Sequence, residues 1–433
     1  MDSDRTEDVA GMPAGELHVG LFDLVAPVAR TVDMMCPAVA DHHMEVAYLA
    51  FRICEELNLP AQEICDIAIA GALHDIGAFS LNERLDLLEF EDDKPTQHSL
   101  AGYVLLKDFA PFAAMAPMIK YHHVPWENGE GKSQKGEVVP RGSHILHLAD
   151  RVAVLIPGEK GLLGRVSGIC DTIVDRSGDV FVPEFVDAVV RLAKKDYIWL
   201  EATSDSVERI LRRNLAPQTH ELNVDELLAF SRMMCKVIDF KSEFTATHTS
   251  GLAATALALA RVLGFSEDEC VMMQVAAYLH DLGKLAVPVE ILEKPAKLTD
   301  DEWPLMRSHV YYTYQVLDPI ESFDTITSWS ALHQERLDGS GYPFGYSAES
   351  IPEGARVMAA ADVFTAITEN RPYRKGMEDR QARAVLRNMA ERNELDANVV
   401  KTLLEHFDEL SHVRAEAQEQ AIEEYREFQA ALQ

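Results

Sequence analysis

His280-Asp281-Leu282-Gly283-Lys284 closes an apolar run, Val271 to Leu279, and His74-Asp75-Ile76-Gly77-Ala78 closes a comparable run 206 residues earlier. Working outward from these two pentapeptides, further histidines and an aspartate recur in the same order. His42, His98, His122-His123 and Asp150 accompany the first; His248, His309, His333-Gln334 and Asp362 accompany the second. His42 to His248 is again 206 residues, His98 to His309 and His122 to His333 are each 211, and Asp150 to Asp362 is 212. An isolated histidine in an apolar helix is usually a hydrogen-bonded core residue. An ordered set found twice is the signature of a duplicated fold.

The 433 residues, 47% of them hydrophobic, suit two packed domains of about 200 residues each. A net charge of -31 argues against a partner that is a nucleic acid polymer, because gripping a phosphate backbone takes clustered Lys and Arg. A small anionic substrate stays open, since bound cations supply local positive charge that the sum conceals. Part of the acidic excess lies after Leu404 and reads as solvated surface. Cys36, Cys54, Cys65, Cys170, Cys235 and Cys270 form no Cys-x-x-Cys pair and fall mostly in apolar stretches, as expected of thiols in a reducing compartment. The first residues are acidic, unlike a signal peptide, and no apolar run reaches membrane-spanning length. The expected setting is cytoplasmic, with no membrane partner.

Helical periodicity dominates, as in Val46, Leu49, Ala50, Ile53, Cys54 and Leu57 on one face, so the expected fold class is all-α. Residues 1–15 read as a disordered tail, 16–213 as a first domain, 214–222 as a linker around Asn214 to Pro217, and 223–433 as a second domain. Val224 to Lys241 opens that domain as a helix, and Ser266-Glu267-Asp268-Glu269 has the form of a capping box. Ile422, Tyr425, Phe428 and Leu432 give the last stretch, Ala421 to Gln433, a helical face expected to pack back on its own domain. Strand signals are confined to Val138-Val139 and Val180-Phe181-Val182. The stretches Phe181 to Val186 and Leu395 to Val400 extend the repeat beyond its histidines.

An ionised Asp281 at the end of a buried helix costs several kcal/mol unless cations or hydrogen bonds compensate it. Its two oxygens let it bridge two ions, with His248, His309 and His333 arriving from other helices and Asp362 adding a second carboxylate. Mixed imidazole and carboxylate ligation suits iron, manganese, zinc or nickel and disfavours calcium. A pair of such ions can generate hydroxide and hold both oxygens of an in-line phosphoryl displacement. Lys284 directs a compact charge toward the same cleft, and Gly339 and Gly341 let backbone approach a ligand.

Residues 223 to 412 resemble the HD-GYP subgroup of the HD phosphohydrolase superfamily. The resemblance rests on His280-Asp-Leu-Gly-Lys284, Ile291-Leu-Glu-Lys-Pro-Ala-Lys-Leu-Thr299, His333-Gln-Glu-Arg-Leu-Asp-Gly-Ser-Gly-Tyr-Pro343, and Asp362-Val-Phe followed by Asn370-Arg-Pro-Tyr-Arg-Lys375. It implies two tandem HD-type helical domains. It also implies hydrolysis of a cyclic dinucleotide, usually cyclic di-GMP, at a bi- or trinuclear metal centre. His248, His280, Asp281, His309, His333 and Asp362 would be its ligands, with Asp281 and Lys284 at the chemistry. Lys284, Arg371 and Lys375 would meet phosphates, and Gly341-Tyr342-Pro343 would flank the pocket.

Two departures shape the expectation. Gln334 stands where the family usually has a second histidine, which makes it a doubtful ligand. Phe244 stands where the family can carry a third-metal glutamate, and the adjacent Glu243 points about 100° away on a helix. Two divalent transition metal ions are therefore expected in the second domain, iron or manganese first and zinc or nickel as alternatives.

The first copy keeps every ligand type, His42, His74, Asp75, His98, His122, His123 and Asp150. Yet Ala78 replaces Lys284, and Trp126-Glu-Asn-Gly-Glu-Gly131 replaces the Gly-Tyr-Pro loop. It resembles a plain HD domain, expected to hold one or two ions, with regulation, dimerisation or a separate phosphatase activity open.

The leading expectation is a phosphodiesterase cutting cyclic di-GMP, or mixed cyclic GMP-AMP, to a linear product and onward to mononucleotides. The alternatives are a non-catalytic nucleotide-sensing protein and a broader nucleotide phosphohydrolase using the first site. Lys284 and Arg371 favour the enzyme, Gln334 the sensor. A homodimer stays open.

Overall fold

Twice along the chain, six helices follow one another in the same order. The computed structural model describes residues 18–34, 41–78, 97–156, 161–240, 247–292, 294, 296–370 and 375–433. These form two compact units, Gly20–Glu221 and Leu222–Ala431. The division falls within 214–222, although Asn214 and Leu215 still belong to the helix Val207–Leu215. The expected disordered tail at 1–15 lies outside the described residues, as do Glu243, Phe244 and Arg371.

In the N-terminal unit the shared helices are α1 (Leu21–Asp33), α2 (His42–Glu56), α3 (Ala61–Leu73), α4 (Gln97–Leu106), α5 (Ala116–Lys120) and α6 (Arg141–Leu155). In the C-terminal unit they are α7 (Val224–Asp239), α8 (His248–Leu263), α9 (Glu267–Leu279), α10 (Glu302–Leu317), α11 (Asp324–Ala331) and α12 (Glu353–Thr368), followed by a long terminal helix, α13 (Phe407–Ala431). Corresponding residues occupy corresponding places. His42 and His248 open α2 and α8, and the His-Asp pairs follow α3 and α9. His98 and His309 lie in α4 and α10, His122 and His333 just beyond α5 and α11, and Asp150 and Asp362 in α6 and α12.

The central helices are short of polar faces because they are enclosed. Every residue of α3 from Ile67 to Leu73 is buried, as expected of a helix apolar all round. Gly71 brings α3 so near α2 that a Cβ there would stand 3.0 Å from Ala47 Cα. In the C-terminal unit Asn223 with Glu226 and Ser266 with Glu269 form reciprocal capping boxes that start α7 and α9. The helix α13 packs back on its own unit, with Phe240 against Phe428 and Tyr425.

The glycine of each pentapeptide explains how the His-Asp pair meets the next histidine. A Cβ on Gly283 would lie 1.9 Å from His309 O and 2.6 Å from Thr313 N, and one on Gly77 would lie 2.2 Å from His98 O. The turn after each pair is thus pressed directly onto the helix carrying the next ligand. Thr313 Oγ1 sews the contact in the C-terminal unit, accepting from Gly283 N (2.9 Å) and donating to His280 O (3.0 Å).

The strand expectation holds in one place and fails in the other. Val138 belongs to the strand Glu137–Val138, which pairs antiparallel with Ser133–Gln134. Val180 to Val182 makes no strand, only an isolated bridge from Ser177 to Phe181. The carbonyls of residues 178–180 are taken by a loop: Trp126, Glu127 and Asn128 donate to Val180 O, Asp179 O and Gly178 O, while Phe181 O and Val182 O accept from Gly178, Phe185 and Val186. No helix among the described residues is long and apolar enough to cross a membrane. The described cysteines are all free.

Gly283→Ala should destabilise the C-terminal unit by about 1–3 kcal/mol, the usual cost of overpacking, and lower its thermal midpoint. An unchanged midpoint would contradict the tight seating of this turn.

Candidate metal centres

Each unit gathers its histidines around one buried aspartate. In the C-terminal unit Asp281 Oδ2 lies 2.9 Å from His280 Nε2, and Asp281 Oδ1 lies 3.2 Å from His309 Nε2. Two donor triads share this residue, His248 with His280 and Asp281, and Asp281 with His309 and His333, the donor atoms of each lying within 4.8 Å of one another. Asp362 Oδ1 stands 3.2 Å from His248 Nε2. His280, His309 and His333 turn Nδ1 to the carbonyls of Ala277, Met306 and Ser330, each three residues back in the chain. This leaves Nε2 facing the cluster.

The N-terminal unit repeats the plan. Asp75 is shared between a triad with His42 and His74 and a tetrad with His98, His122 and His123. Asp150 Oδ1 lies 3.2 Å from His42 Nε2 and 3.8 Å from His74 Nε2. His98 and His123 turn Nε2 toward each other at 3.1 Å. The buried atoms His74 Nε2, His122 Nε2, Asp75 Oδ1 and Asp150 Oδ1 have no hydrogen-bond partner. Buried polar atoms are ordinarily hydrogen-bonded, and imidazole nitrogens 3.3 to 3.8 Å from carboxylate oxygens without a hydrogen bond to them fit a divalent transition metal.

Electrostatics agree with a cation cage. Burial alone would raise the Asp281 carboxyl, but His280 and Lys284 hold it well below the usual carboxylate range. Burial would likewise lower His248, yet the Glu369 and Asp362 charges push it up to about 10. In the N-terminal unit Asp75 and Asp150 outweigh burial and push His74 up to about 9. Burial with the neighbouring imidazoles lowers His333 to about 3.

Among the residues expected to meet substrate, Lys284 Nζ lies 2.5 Å from Asp281 Oδ2, and Tyr342 N–H donates to Gln334 O, with its phenol within electrostatic reach of the cluster carboxylates. Burial, Asp362 and Asp281 raise its phenol to about 12. Gly341 can be nothing larger, since a Cβ would lie 2.3 Å from Arg336 N. Pro343 follows Tyr342 through a cis peptide. Lys375 is exposed, and no contact brings it to the cluster among the described residues. Gln334 faces the cluster as a donor: its Nε2 gives a 2.8 Å hydrogen bond to Asp362 Oδ2.

Several residues here escaped the sequence reading. Glu335, 2% exposed, accepts from the backbone N–H groups of Phe344, Gly345 and Tyr346 at 2.7 to 3.1 Å and so anchors the loop after Pro343. Trp303, 48% exposed, packs edge-on to Tyr342, and the Arg307 guanidinium lies 4.5 Å from the Tyr342 ring centroid. In the N-terminal unit Arg151, buried, donates to Asp150 Oδ2 at 2.8 Å. Asp33 binds His43 and Asp239 binds Thr249. Those four also recur 206 residues apart, a signal the sequence did offer.

Two helical units, each built on an ordered His/Asp cluster around a shared aspartate, define a tandem HD-domain protein. One HD domain model matches residues 39–155 and another matches 232–399. The 3'3'-cGAMP-specific phosphodiesterase 1 of Vibrio cholerae is 31% identical over 403 residues, 90% of this chain and 92% of that protein. The cyclic di-GMP phosphodiesterase response regulator RpfG of Xanthomonas campestris pv. campestris is 36% identical over 43% of this chain and 50% of its own. The solved cyclic GMP-AMP specific phosphodiesterase V-cGAP3 of V. cholerae shares the fold, with TM-score 0.64 and 23% identity over 90% of this chain and 98% of that one. The chain belongs to the HD-GYP phosphodiesterases of the HD phosphohydrolase superfamily, with an additional N-terminal HD domain.

Metal uptake should release protons, because imidazoles held protonated by neighbouring carboxylates, against the effect of burial, must lose them to ligate. With His74 and His248 pushed up to about 9 and about 10, apparent affinity should tighten as pH rises. Calorimetry in buffers of different ionisation enthalpy between about pH 7 and 9 measures this; affinity flat with pH and no proton release would contradict it.

Proposed function

We propose that the C-terminal unit hydrolyses one phosphodiester bond of a cyclic purine dinucleotide, releasing a linear dinucleotide that can be cut further to mononucleotides. The observation that carries this reading is the meeting of a shared-aspartate cluster with Lys284 and the Tyr342 loop. The N-terminal unit has the cluster but has Ala78 in place of that lysine. A relative covering both units carries the 3'3'-cGAMP name, which supports our reading of mixed cyclic GMP-AMP ahead of cyclic di-GMP.

His248, His280, Asp281, His309, His333 and Asp362 would hold two divalent ions, iron or manganese before zinc or nickel. Such ions supply Lewis acidity and water activation at neutral pH. The chain's own contribution is positional. Asp281 offers one oxygen to each half of the cluster, so the two halves keep a fixed separation. His309 and His333 are oriented by the Met306 and Ser330 carbonyls and need not reorganise during the reaction. Lys284 supplies a charge to a phosphate oxygen entering beside Asp281. Glu335 fixes the loop that brings Tyr342 to the cluster. Trp303 and Arg307 present an exposed ring and a cation beside Tyr342, a surface on which a purine can stack. Arg371 and Lys375 remain candidates for the second phosphate. The N-terminal unit would hold one or two ions through His42, His74, Asp75, His98, His122, His123 and Asp150, without that stacking wall.

The test is anaerobic purification, loading with iron or manganese, and chromatography of products from mixed cyclic GMP-AMP and cyclic di-GMP. Linear dinucleotide is expected; no turnover of either would overturn the reading. Trp303→Ala should raise KM for the cyclic dinucleotide by roughly tenfold, within the ~1–3 kcal/mol of one stacked base. Turnover of bis(p-nitrophenyl) phosphate, which lacks a purine, should stay unchanged.

A further inference from the structure

His248 differs from the other C-terminal histidines of the cluster in what orients it. His280, His309 and His333 each give Nδ1–H to a carbonyl three residues back. His248 is the first residue of α8, and its Nδ1–H goes to a side chain, Glu369 Oε2, at 3.1 Å. Glu369 follows directly on α12, the helix that carries Asp362, so one stretch of chain contacts both nitrogens of His248: Asp362 faces Nε2 and Glu369 faces Nδ1. Glu369 is 2% exposed, too buried to be an incidental surface carboxylate.

The carboxylate is itself held from the terminal helix. Gln418 Nε2, on α13, donates to Glu369 Oε2 at 3.3 Å, and Arg414 donates to Gln418 Oε1 one turn away. Gly251, one turn after His248 on α8, makes the space: a Cβ there would come within 2.8 Å of the Gln418 side chain. Three elements, α8, α12 and α13, therefore converge on one hydrogen bond to a cluster histidine.

We infer that Glu369 is a positioning residue for His248, and that Gln418 extends this control to the C-terminal helix. Glu369 accepts from Nδ1–H, which fixes the ring and leaves Nε2 as the ligating nitrogen; a carboxylate in this place also raises the basicity of the ligand. The inference rests on the metal-binding reading of the cluster but not on turnover of any nucleotide. It also gives α13 a role that its packing alone does not require.

The experiment is chelator competition on the full chain loaded with manganese or zinc, counting ions retained per chain. Far-UV circular dichroism and the metal-free thermal midpoint run alongside. His248→Ala serves as the reference for loss of one C-terminal ion. Glu369→Ala should weaken retention of that same ion by about 10- to 100-fold and shrink the metal-dependent rise in midpoint, beyond any fall in the metal-free midpoint from the lost buried pairing. Glu369→Gln, which keeps an oxygen to accept from Nδ1–H, should restore part of the loss. A merely structural residue would lower the metal-free midpoint and leave the metal-dependent rise in midpoint intact. Retention within about twofold of the wild-type chain in folded Glu369→Ala would overturn the inference. Should that variant fail to fold, Gln418→Leu decides, since it leaves the carboxylate in place and removes its bond from Gln418. A threefold or greater weakening supports the inference and unchanged retention overturns it. If the unaltered C-terminal cluster retains no ion, the metal-binding reading fails with it.

Discussion

A buried carboxylate that two groups of imidazoles must share is the constraint on which each unit depends. Asp281 and Asp75 are almost fully enclosed, and an ionised carboxylate in such a place costs several kcal/mol if left uncompensated. Compensation has to come from distant helices. The His-Asp turn is pressed against α10 through Gly283, α8 brings His248, and the residues beyond α11 bring His333. The packing and the charge balance are the same set of contacts. This explains why the duplicated pattern is an ordered set at nearly constant spacing, with only a few residues of drift between the His74/His280 and His98/His309 positions.

The two units balance that carboxylate differently. In the C-terminal unit a lysine is tied to the shared aspartate itself, at 2.5 Å. In the N-terminal unit a buried cation, Arg151, is tied to Asp150 rather than to the shared aspartate. The paired position after His333 is Gln334, whose amide donates to Asp362; after His122 it is His123, which faces His98. One unit thus has a lysine on its shared aspartate and the Tyr342 loop beside Gln334. The other adds an imidazole donor, and its Trp126 loop is seated on the carbonyls of residues 178–180. The ordered cluster is common to both units, and the residues around it differ.

The cage was legible in the sequence because ligand residues are restricted by chemistry and recur at a repeat offset. Helix starts at Asn223 and Ser266 were legible for a similar reason, since a capping box is a local pattern of three to four residues. Glu335, Glu369, Trp303 and Arg151 were not. A glutamate that anchors a loop and a glutamate that orients a histidine look like any surface glutamate until the chain is folded. Their partners lie 9 to 11 and 121 residues away with no periodicity to mark them. The Val180 stretch misled because its apolar run serves packing, with Phe181 and Val182 buried, while the carbonyls of residues 178–180 are used by a loop 50 or so residues earlier. The pairs Asp33–His43 and Asp239–Thr249 could have been found from their offset alone.

The central claim is that cyclic dinucleotide chemistry is confined to the second of two metal cages. The most direct measurement compares Asp75→Ala and Asp281→Ala in otherwise identical metal-loaded protein, assayed on the same cyclic dinucleotide. Asp281→Ala should lose turnover by at least about a thousandfold, the scale of losing a catalytic metal's several kcal/mol, while Asp75→Ala keeps it within a few-fold. Turnover that survives in Asp281→Ala and is lost in Asp75→Ala would contradict the account.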